Sequence, residues 1–341
     1  MSKTALVISG GGSKGAFAVG VLKAIYQHNP GLNFDLLIGT STGALIAPLA
    51  TSGSIPLLEQ LYTTVKTDNV IETNNVGNRF LTADSIFGVG PLGKLIQQYY
   101  TDTFFQSLQA QPCNVLLATT CLQTATAVYF STRKAAAVKG YEVVPLGKAD
   151  HFRRAVMASA CQPVFMPPIE VIPGAVPLRQ YVDGGVREYA GIQLAIEQGA
   201  DEIFVILLSS GLNKPVEKRY TQVPDILLRT IEIFTEDVGD NDLEMPQMYN
   251  KALDYLNSVR QNMKQSGMSD QQIGQLLSVP GNPLSNKRPV NLHVIRPDGD
   301  LGGGTGGLNF DPAEMKGMVA KGITVMNNYI AGLPPGSSIL V

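Results

Sequence analysis

The chain has 341 residues, of which 44% are hydrophobic and 16% are charged, and its 26 basic and 28 acidic side chains give a formal net charge of −2. This balance excludes an intrinsically disordered chain and leaves no basic excess for a nucleic-acid backbone. At roughly 150 residues per domain the length suggests two domains, although α/β folds often run beyond about 250 residues as one unit. Cys113, Cys121 and Cys161 follow no C-x-x-C spacing, so neither disulfides nor a zinc site is expected.

The N-terminal segment predicts a buried strand rather than a leader sequence. The apolar run 5–9 is much shorter than the core of a signal peptide and leads directly into glycines. No stretch approaches the roughly 18 apolar residues that cross a bilayer. We therefore expect a cytoplasmic protein that would contact a membrane only peripherally.

The predicted elements alternate between short apolar strands and helices. This alternation indicates a three-layer α/β fold with a mostly parallel central sheet and helices on both faces. A strand over 4–8 and a glycine-rich loop precede a helix over 13–28, and a strand over 34–38 precedes a helix over 44–50 that Pro48 should break or kink. The later predictions are strands over 115–120, 127–131, 179–183, 203–208 and 290–296, and helices over 152–160 (with Asp150 as N-cap), 191–199 and 312–330.

Two polar segments interrupt this alternation. Residues 66–93 are rich in turn residues, which is typical of a lid or of an ordinary surface loop. Residues 212–286 lack strong strands and have helix-like stretches over 226–234 and 248–266, so a helical insertion or cap is predicted. The predicted organisation is a catalytic core over 1–211, the insertion over 212–286, and a strand and helix over 287–341 that complete the same domain.

The sequence Gly39-Thr-Ser41-Thr-Gly43 lies between the second predicted strand and the helix after it. Small residues on both sides of a serine permit the strained turn of a nucleophile elbow, which exposes the serine hydroxyl. The motif also arises by chance in glycine-rich chains. A plain strand-to-helix turn therefore remains the alternative at this point.

The glycine-rich loop at 10–15 follows the first strand, where consecutive amides and a helix N-terminus can converge on negative charge. Such a loop suits two chemistries. Its amides could form an oxyanion hole for an intermediate raised by Ser41, or they could hold the pyrophosphate of a dinucleotide.

The sequence favours the oxyanion hole over the nucleotide. A dinucleotide site needs an acidic residue at the end of the second strand, but Asp35 begins that strand and Ser41 follows its end. A Walker loop is also excluded, because Ala16 and Phe17 follow Gly15 where Lys and Ser or Thr are required.

A serine nucleophile needs a base, and the histidines are poor candidates. His293 is the only one late enough for the order of an α/β-hydrolase, but it lies inside a predicted apolar strand, where a structural role is favoured. His28 and His151 are expected at helix ends.

Asp183 is the remaining candidate, because it ends a predicted strand and is followed by Gly184 and Gly185, which let another segment approach closely. A carboxylate of ordinary pKa is a weak base for a hydroxyl, so a Ser–Asp dyad requires a desolvated site and a strong oxyanion hole. An Asp that only forms a turn before glycine is the alternative.

Four ordered sequence blocks resemble the patatin-like phospholipases. They are Gly-Gly-Gly-x-Lys-Gly at 10–15, Gly-Thr-Ser-x-Gly at 39–43, Ala-Ser-Ala-Cys-Gln-Pro at 158–163 running into Phe-Met-Pro-Pro at 165–168, and Asp-Gly-Gly at 183–185. The sequence Leu-Asn-Phe-Asp-Pro at 308–312 also resembles bacterial members of the family.

The resemblance implies a lipid acyl hydrolase of the phospholipase A or lysophospholipase type, acting on a phospholipid or another acyl-ester lipid. It implies a Ser41–Asp183 dyad and neither metal nor cofactor. The backbone of Gly10, Gly11 and Gly12 would form the oxyanion hole. The supporting residues would be Lys14, Gly15, Gly39, Gly43, Gly184 and Gly185.

The chain departs from the family pattern at two places. Many members have Arg where this chain has Lys14, and many continue the Asp-Gly-Gly block into Asn-Pro where this chain has Tyr-Ala-Gly at 189–191. The resemblance therefore implies no acyl or head-group preference, and the oligomeric state is not predicted. The alternatives are an acyltransferase that uses the same serine and a non-catalytic lipid- or nucleotide-binding module.

Overall fold

A mixed sheet forms the centre of the molecule. The computed structural model describes residues 3–51, 53–74, 79, 82–136, 138, 140–211, 217, 219–284, 287–334 and 337. Within these residues the sheet has eight strands, ordered β5-β4-β3-β2-β1-β7-β8, with β6 paired to β3. They are β1 (Thr4–Ile8), β2 (Leu36–Thr40), β3 (Asn114–Cys121), β4 (Thr126–Ser131), β5 (Glu142–Pro145), β6 (Tyr181–Asp183), β7 (Glu202–Ile206) and β8 (Asn291–Ile295).

The prediction of a mostly parallel sheet is confirmed. Strand β1 pairs in parallel with β2 and β7, and the parallel pairing continues to β3 on one side and to β8 on the other. Strands β4 and β6 are antiparallel to β3. The strand predicted over 179–183 is thus only the three residues of β6, and it runs antiparallel to β3.

Helices cover both faces of the sheet. Leu6 and Ile8 of β1 belong to one apolar core and Ala5 and Val7 to the other, which is the alternation of a strand buried on both sides. The helices are α1 (Gly15–His28), α2 (Thr42–Ala50), α3 (Ile55–Thr64), α4 (Gly90–Tyr99), α5 (Asp102–Ala110), α6 (Ala149–Ala160), α7 (Ile192–Glu197), α8 (Val223–Gln265), α9 (Asp270–Leu277) and α10 (Pro312–Ala331). In the described part of the chain, no helix has both the length and the apolar character needed to cross a bilayer.

Two local details of the helices differ from simple expectation. Pro48 lies inside α2, which continues to Ala50, so the helix is not broken there. Asp150 is not an N-cap, since α6 begins at Ala149 after Lys148. Asp150 instead lies in the first turn, where its charge suits the helix dipole, and it pairs with Arg154 at 2.9 Å.

The polar segment 212–286 forms a longer helix than predicted. The two predicted helices are parts of α8, which has 43 residues. Gly239 and Pro246 in its middle suggest a break from sequence alone, but both are buried against the core. Residues 212–216, 218 and 285–286 of this segment, and 75–78 and 80–81 of the predicted 66–93 loop, lie outside the described residues.

Candidate active site

The strand register brings Ser41 and Asp183 to the same place. Strand β2 pairs with β3 as far as Thr40, which lies opposite Ala118. Strand β6 pairs with the next residues of β3 and places Asp183 opposite Thr119. Strand β4 already occupies the opposite edge of β3 along this stretch, so β2 and β6 share one edge. Asp183 therefore lies directly beyond the end of β2, where Ser41 begins the turn into α2.

Ser41 has a backbone conformation that few side chains adopt. Its φ of 55° and ψ of −122° place it in the strained region with positive φ. The backbone amide donates a hydrogen bond of 3.0 Å to Ser159 Oγ. A Cβ atom on Gly39 would clash with the Gly43 carbonyl, and one on Gly43 would clash with the Ile8 carbonyl. The elbow therefore requires glycine at both flanking positions.

Asp183 is a buried carboxyl group held from several sides. Its amide donates to the Cys161 carbonyl at 2.8 Å, and one carboxylate oxygen accepts a bond of 2.8 Å from the Gly185 amide. Burial raises the pKa of Asp183 from 3.8 to about 6, and hydrogen bonds from the Ser41 side chain and the Gly185 amide lower it. A carboxylate with this pKa is a stronger base than an exposed one and is still ionised at neutral pH.

The glycine loop passes directly beside Ser41. A Cβ atom on Gly10 would lie 3.1 Å from Ser41 Cβ. Gly12 has a φ of 57°, and a Cβ atom there would clash with the Gly307 carbonyl. Gly10, Gly11, Gly12 and Lys14 all line the same cavity as Ser41 and Asp183.

The other glycines named from sequence are also close to neighbouring groups. A Cβ atom on Gly15 would lie 2.6 Å from Thr42 Oγ1, and one on Gly184 would lie 2.7 Å from the Ala118 carbonyl carbon. Glycine at position 15 therefore lets the start of α1 lie close to the start of α2, and glycine at position 184 lets the turn after β6 lie close to β3.

A cavity of about 180 Å³ opens from the Ser41 region into the space between the helices. Its polar part includes Lys14, Ser209, Glu232 and Glu236. Helix α8 supplies both glutamates, so the insertion forms one wall of the cavity. The larger part of the lining is apolar and comes mainly from α2, α3, α4 and α10: Leu45, Leu49, Leu58, Leu61, Tyr62, Leu92, Leu95, Ile96, Tyr99, Tyr100 and Met315.

None of the three histidines lines this cavity. His293 lies in β8 and bonds to Glu202 at 2.9 Å and to the Tyr329 hydroxyl at 2.8 Å. His28 contacts Asn327 at 3.1 Å. In the described ranges, no group of three or more His, Cys, Asp or Glu side chains could hold a metal ion.

Sequence reasoning missed a second layer of contacts around Tyr189. The Tyr189 hydroxyl donates a hydrogen bond of 2.9 Å to the Gly10 carbonyl. One carboxylate oxygen of Asp242, on α8, accepts bonds of 2.8 and 3.0 Å from the amides of Tyr189 and Ala190. A Cβ atom on Gly239 would lie 2.5 Å from the Tyr189 ring, so α8 packs closely against it. No motif identifies Asp242, since it lies in a polar stretch without a distinctive pattern.

Beside this contact, the buried carboxyl group of Glu188 and the half-buried one of Asp242 lie close enough for their charges to repel. Burial raises the pKa of Glu188 above its usual 4.5, and the negative charge of Asp242 raises it further. Burial also raises the pKa of Asp242 above its usual 3.8, although the amides of Tyr189 and Ala190 oppose this. The folded protein therefore binds protons at this pair more tightly than the unfolded chain does.

We expect this pair to lower the stability of the protein as the pH rises. A carboxyl group with a raised folded pKa favours the folded state at low pH, and this contribution is lost as the pH rises through the raised value. The melting temperature should fall between about pH 5 and about pH 8, and Glu188→Gln should reduce that fall. If the melting temperatures of the wild type and of Glu188→Gln fell equally across this pH range, the assignment would be contradicted.

Comparison with known proteins places the chain in a family. The model of the patatin-like phospholipases matches residues 6–196, which is more than half of the chain. The chain therefore belongs to the patatin-like phospholipase family, a family of lipid hydrolases. Among solved structures, VipD from Legionella pneumophila is similar, with 12% identity and a TM-score of 0.46 over 97% of this chain and 67% of that chain. No curated protein matches the chain significantly.

Proposed function

We propose that the protein is a serine lipid acyl hydrolase that cleaves carboxylic esters of phospholipids or related lipids. Ser41 Oγ attacks the ester carbonyl while Asp183 accepts the hydroxyl proton. The amides of the loop at Gly10, Gly11 and Gly12 stabilise the oxyanion. The alcohol leaves with the proton from Asp183, and water then attacks the acyl-enzyme to release the fatty acid and restore both side chains.

The observation that carries this proposal is the placement of Ser41 beside the buried Asp183 in the lining of one apolar cavity. Burial of the carboxyl group raises its pKa towards neutral, which strengthens it as a base. The apolar lining suits a fatty acyl chain, which gains free energy in proportion to the area that it buries. A binding module would need the cavity but not the Ser–Asp pair.

The test is product analysis with a phospholipid in mixed micelles. The wild-type protein should release fatty acid and lysophospholipid in equal amounts, and Ser41→Ala should release neither. Ser107→Ala is the matched control, because Ser107 is exposed on α5 and does not line the cavity. No release by the wild type, or equal release by Ser41→Ala, would contradict the proposal. Acyl transfer to an added alcohol at the expense of fatty acid would identify an acyltransferase instead.

Tyr189 is expected to act as a positioning residue for the oxyanion loop. Its hydroxyl holds the Gly10 carbonyl, and the Gly11 amide of the same peptide plane points the opposite way. Tyr189→Phe should therefore lower kcat about tenfold with little change in KM, since a misaligned donor weakens transition-state binding.

The control for this prediction is Tyr255→Phe, at an exposed position of α8. Both variants should melt close to the wild type, because one neutral hydrogen bond contributes only about 1 kcal/mol. An unchanged kcat in Tyr189→Phe, or an effect confined to KM, would remove this role.

A further inference from the structure

Residues 171–178 form a loop without a single charged side chain; Val171 at its start is buried, and the residues after it reach the surface. Their sequence is Val-Ile-Pro-Gly-Ala-Val-Pro-Leu, and we refer to them as the apolar loop. Val176 is 96% exposed and Leu178 is 53% exposed, and Ile172 is exposed as well. Exposed aliphatic side chains concentrated in one uncharged segment indicate a surface that meets an apolar partner.

The apolar loop projects past the carboxyl edge of the sheet. Ile169 and Tyr181 exchange two backbone hydrogen bonds of 2.9 Å, so the residues between them form the end of a hairpin. Tyr181 pairs with Cys121, the last residue of β3, while Asp183 pairs two residues earlier in β3. The hairpin therefore extends beyond the level of Asp183, at the edge of the sheet where Ser41 lies.

The apolar loop is continuous with the candidate active site. Met166 before it and Asp183 after it both line the cavity. Val186, three residues beyond Asp183, is the only exposed residue among the described residues of the lining, so the cavity reaches the surface beside this segment. Exposed Leu122, which follows β3, donates its amide to the Gln180 carbonyl at 2.9 Å and widens the apolar surface.

We infer that the apolar loop inserts into the surface of a lipid layer and brings the cavity to its ester substrates. This inference rests on the proposed function, because an enzyme that acts on lipid esters must reach them in their own aggregate. A lipid layer accommodates an uncharged projection next to the cavity mouth without requiring a complementary polar surface. Pro173 and Pro177 restrict the backbone, so little conformational freedom is lost when the loop is buried.

The charges at the base of the apolar loop indicate insertion rather than electrostatic attachment. Glu170 and Arg179 flank the loop with opposite signs, and Arg179 forms an ion pair of 2.6 Å with Glu142. Glu170, Arg179 and Glu142 together carry one negative charge, so these three side chains do not attract anionic lipids. We therefore expect binding to neutral phosphatidylcholine that changes little with salt.

The test is flotation with phosphatidylcholine vesicles, with every protein carrying Ser41→Ala so that the lipids stay intact. The double substitution Val176→Glu, Leu178→Glu should lower the partition coefficient at least about tenfold, because two buried charges oppose insertion. Val279→Glu is the matched control, since Val279 is 61% exposed and follows α9. Raising NaCl from about 0.1 M to about 0.5 M should leave the partitioning nearly unchanged.

A second measurement uses the proteins with Ser41 intact. The double variant should hydrolyse vesicle lipids more slowly than the wild type and should hydrolyse a water-soluble short-chain ester equally well. If the protein does not hydrolyse lipid esters, hydrolysis fails in every protein, while the flotation result still decides the role of the loop.

Four results of the flotation test would overturn the inference. They are absence of vesicle binding by the protein with an intact loop, equal binding by the double variant, an equal loss in Val279→Glu, and binding abolished by salt. A dimer in sedimentation equilibrium that only the loop substitutions dissociate would also overturn it and would assign the loop to a second copy of the chain.

Discussion

Replacement of Asp183 by Asn should lower kcat/KM for a soluble ester at least about 10³-fold. The amide is nearly the same shape and can accept the bond from the Gly185 amide, but it cannot take the proton of Ser41. The exposed Asp254 of α8 supplies the matched control as Asp254→Asn, which should keep full activity. The substitution therefore removes the base while it leaves the packing of the site unchanged.

The same substitution should not destabilise the protein at alkaline pH. Burial raises the pKa of Asp183 from 3.8 to about 6. In the wild type this group therefore contributes less stability as the pH rises from the pKa of the unfolded chain to the pKa of the folded protein. Asp183→Asn removes that cost, and its melting temperature at about pH 8 should equal or exceed that of the wild type. A large drop in melting temperature would mean that lost activity reflects unfolding.

The pH profile of the wild type gives an independent check on Asp183. Activity should rise with pH as the carboxyl group ionises, with a midpoint near its pKa of about 6, and should then level off. If the Asp183→Asn variant showed the same pH dependence with lower activity throughout, another group would be the base.

Gly43→Ala should both lower stability and abolish ester cleavage. Alanine within a helix is ordinarily better than glycine by about 1 kcal/mol. At this position, however, a Cβ atom would clash with the backbone carbonyl of Ile8, at the end of β1. Relief of that clash must push the start of α2 away from β1 and displace Ser41 from the glycine loop.

The control for Gly43→Ala is Gly317→Ala in α10, where a Cβ atom would meet nothing within 4 Å. This variant should melt at the wild-type temperature or slightly above it and keep full activity. Thermal melting and ester hydrolysis of the two variants, measured side by side, test whether the clash at Gly43 causes the loss of stability and activity. Wild-type behaviour of Gly43→Ala would show that the elbow tolerates a side chain.

The sequence was informative where a local turn dictates small residues. The glycines around Ser41 and at 10–15 could be recognised because the strand–turn–helix context and the glycine spacing are local features. The sheet class followed in the same way from the alternation of apolar runs and helices.

The features that depend on long-range packing could not be predicted from the sequence. The meeting of Asp183 with Ser41 depends on the antiparallel pairing of β6 with β3, which no short pattern specifies. The sequence predicts two helical stretches over 226–234 and 248–266, whereas α8 is continuous through Gly239, the residue that allows Tyr189 to approach. The support of Gly10 by Tyr189 likewise joins residues 179 positions apart.

The most direct test of the Ser41–Asp183 proposal is intact mass spectrometry after exposure to a fluorophosphonate ester, which marks activated serines. The wild type should gain one adduct, peptide mapping should place it on Ser41, and Asp183→Asn should gain it more slowly. Ser41→Ala should gain none. An adduct of equal yield on Ser41→Ala, or none on the wild type, would contradict the assignment of Ser41 as the nucleophile.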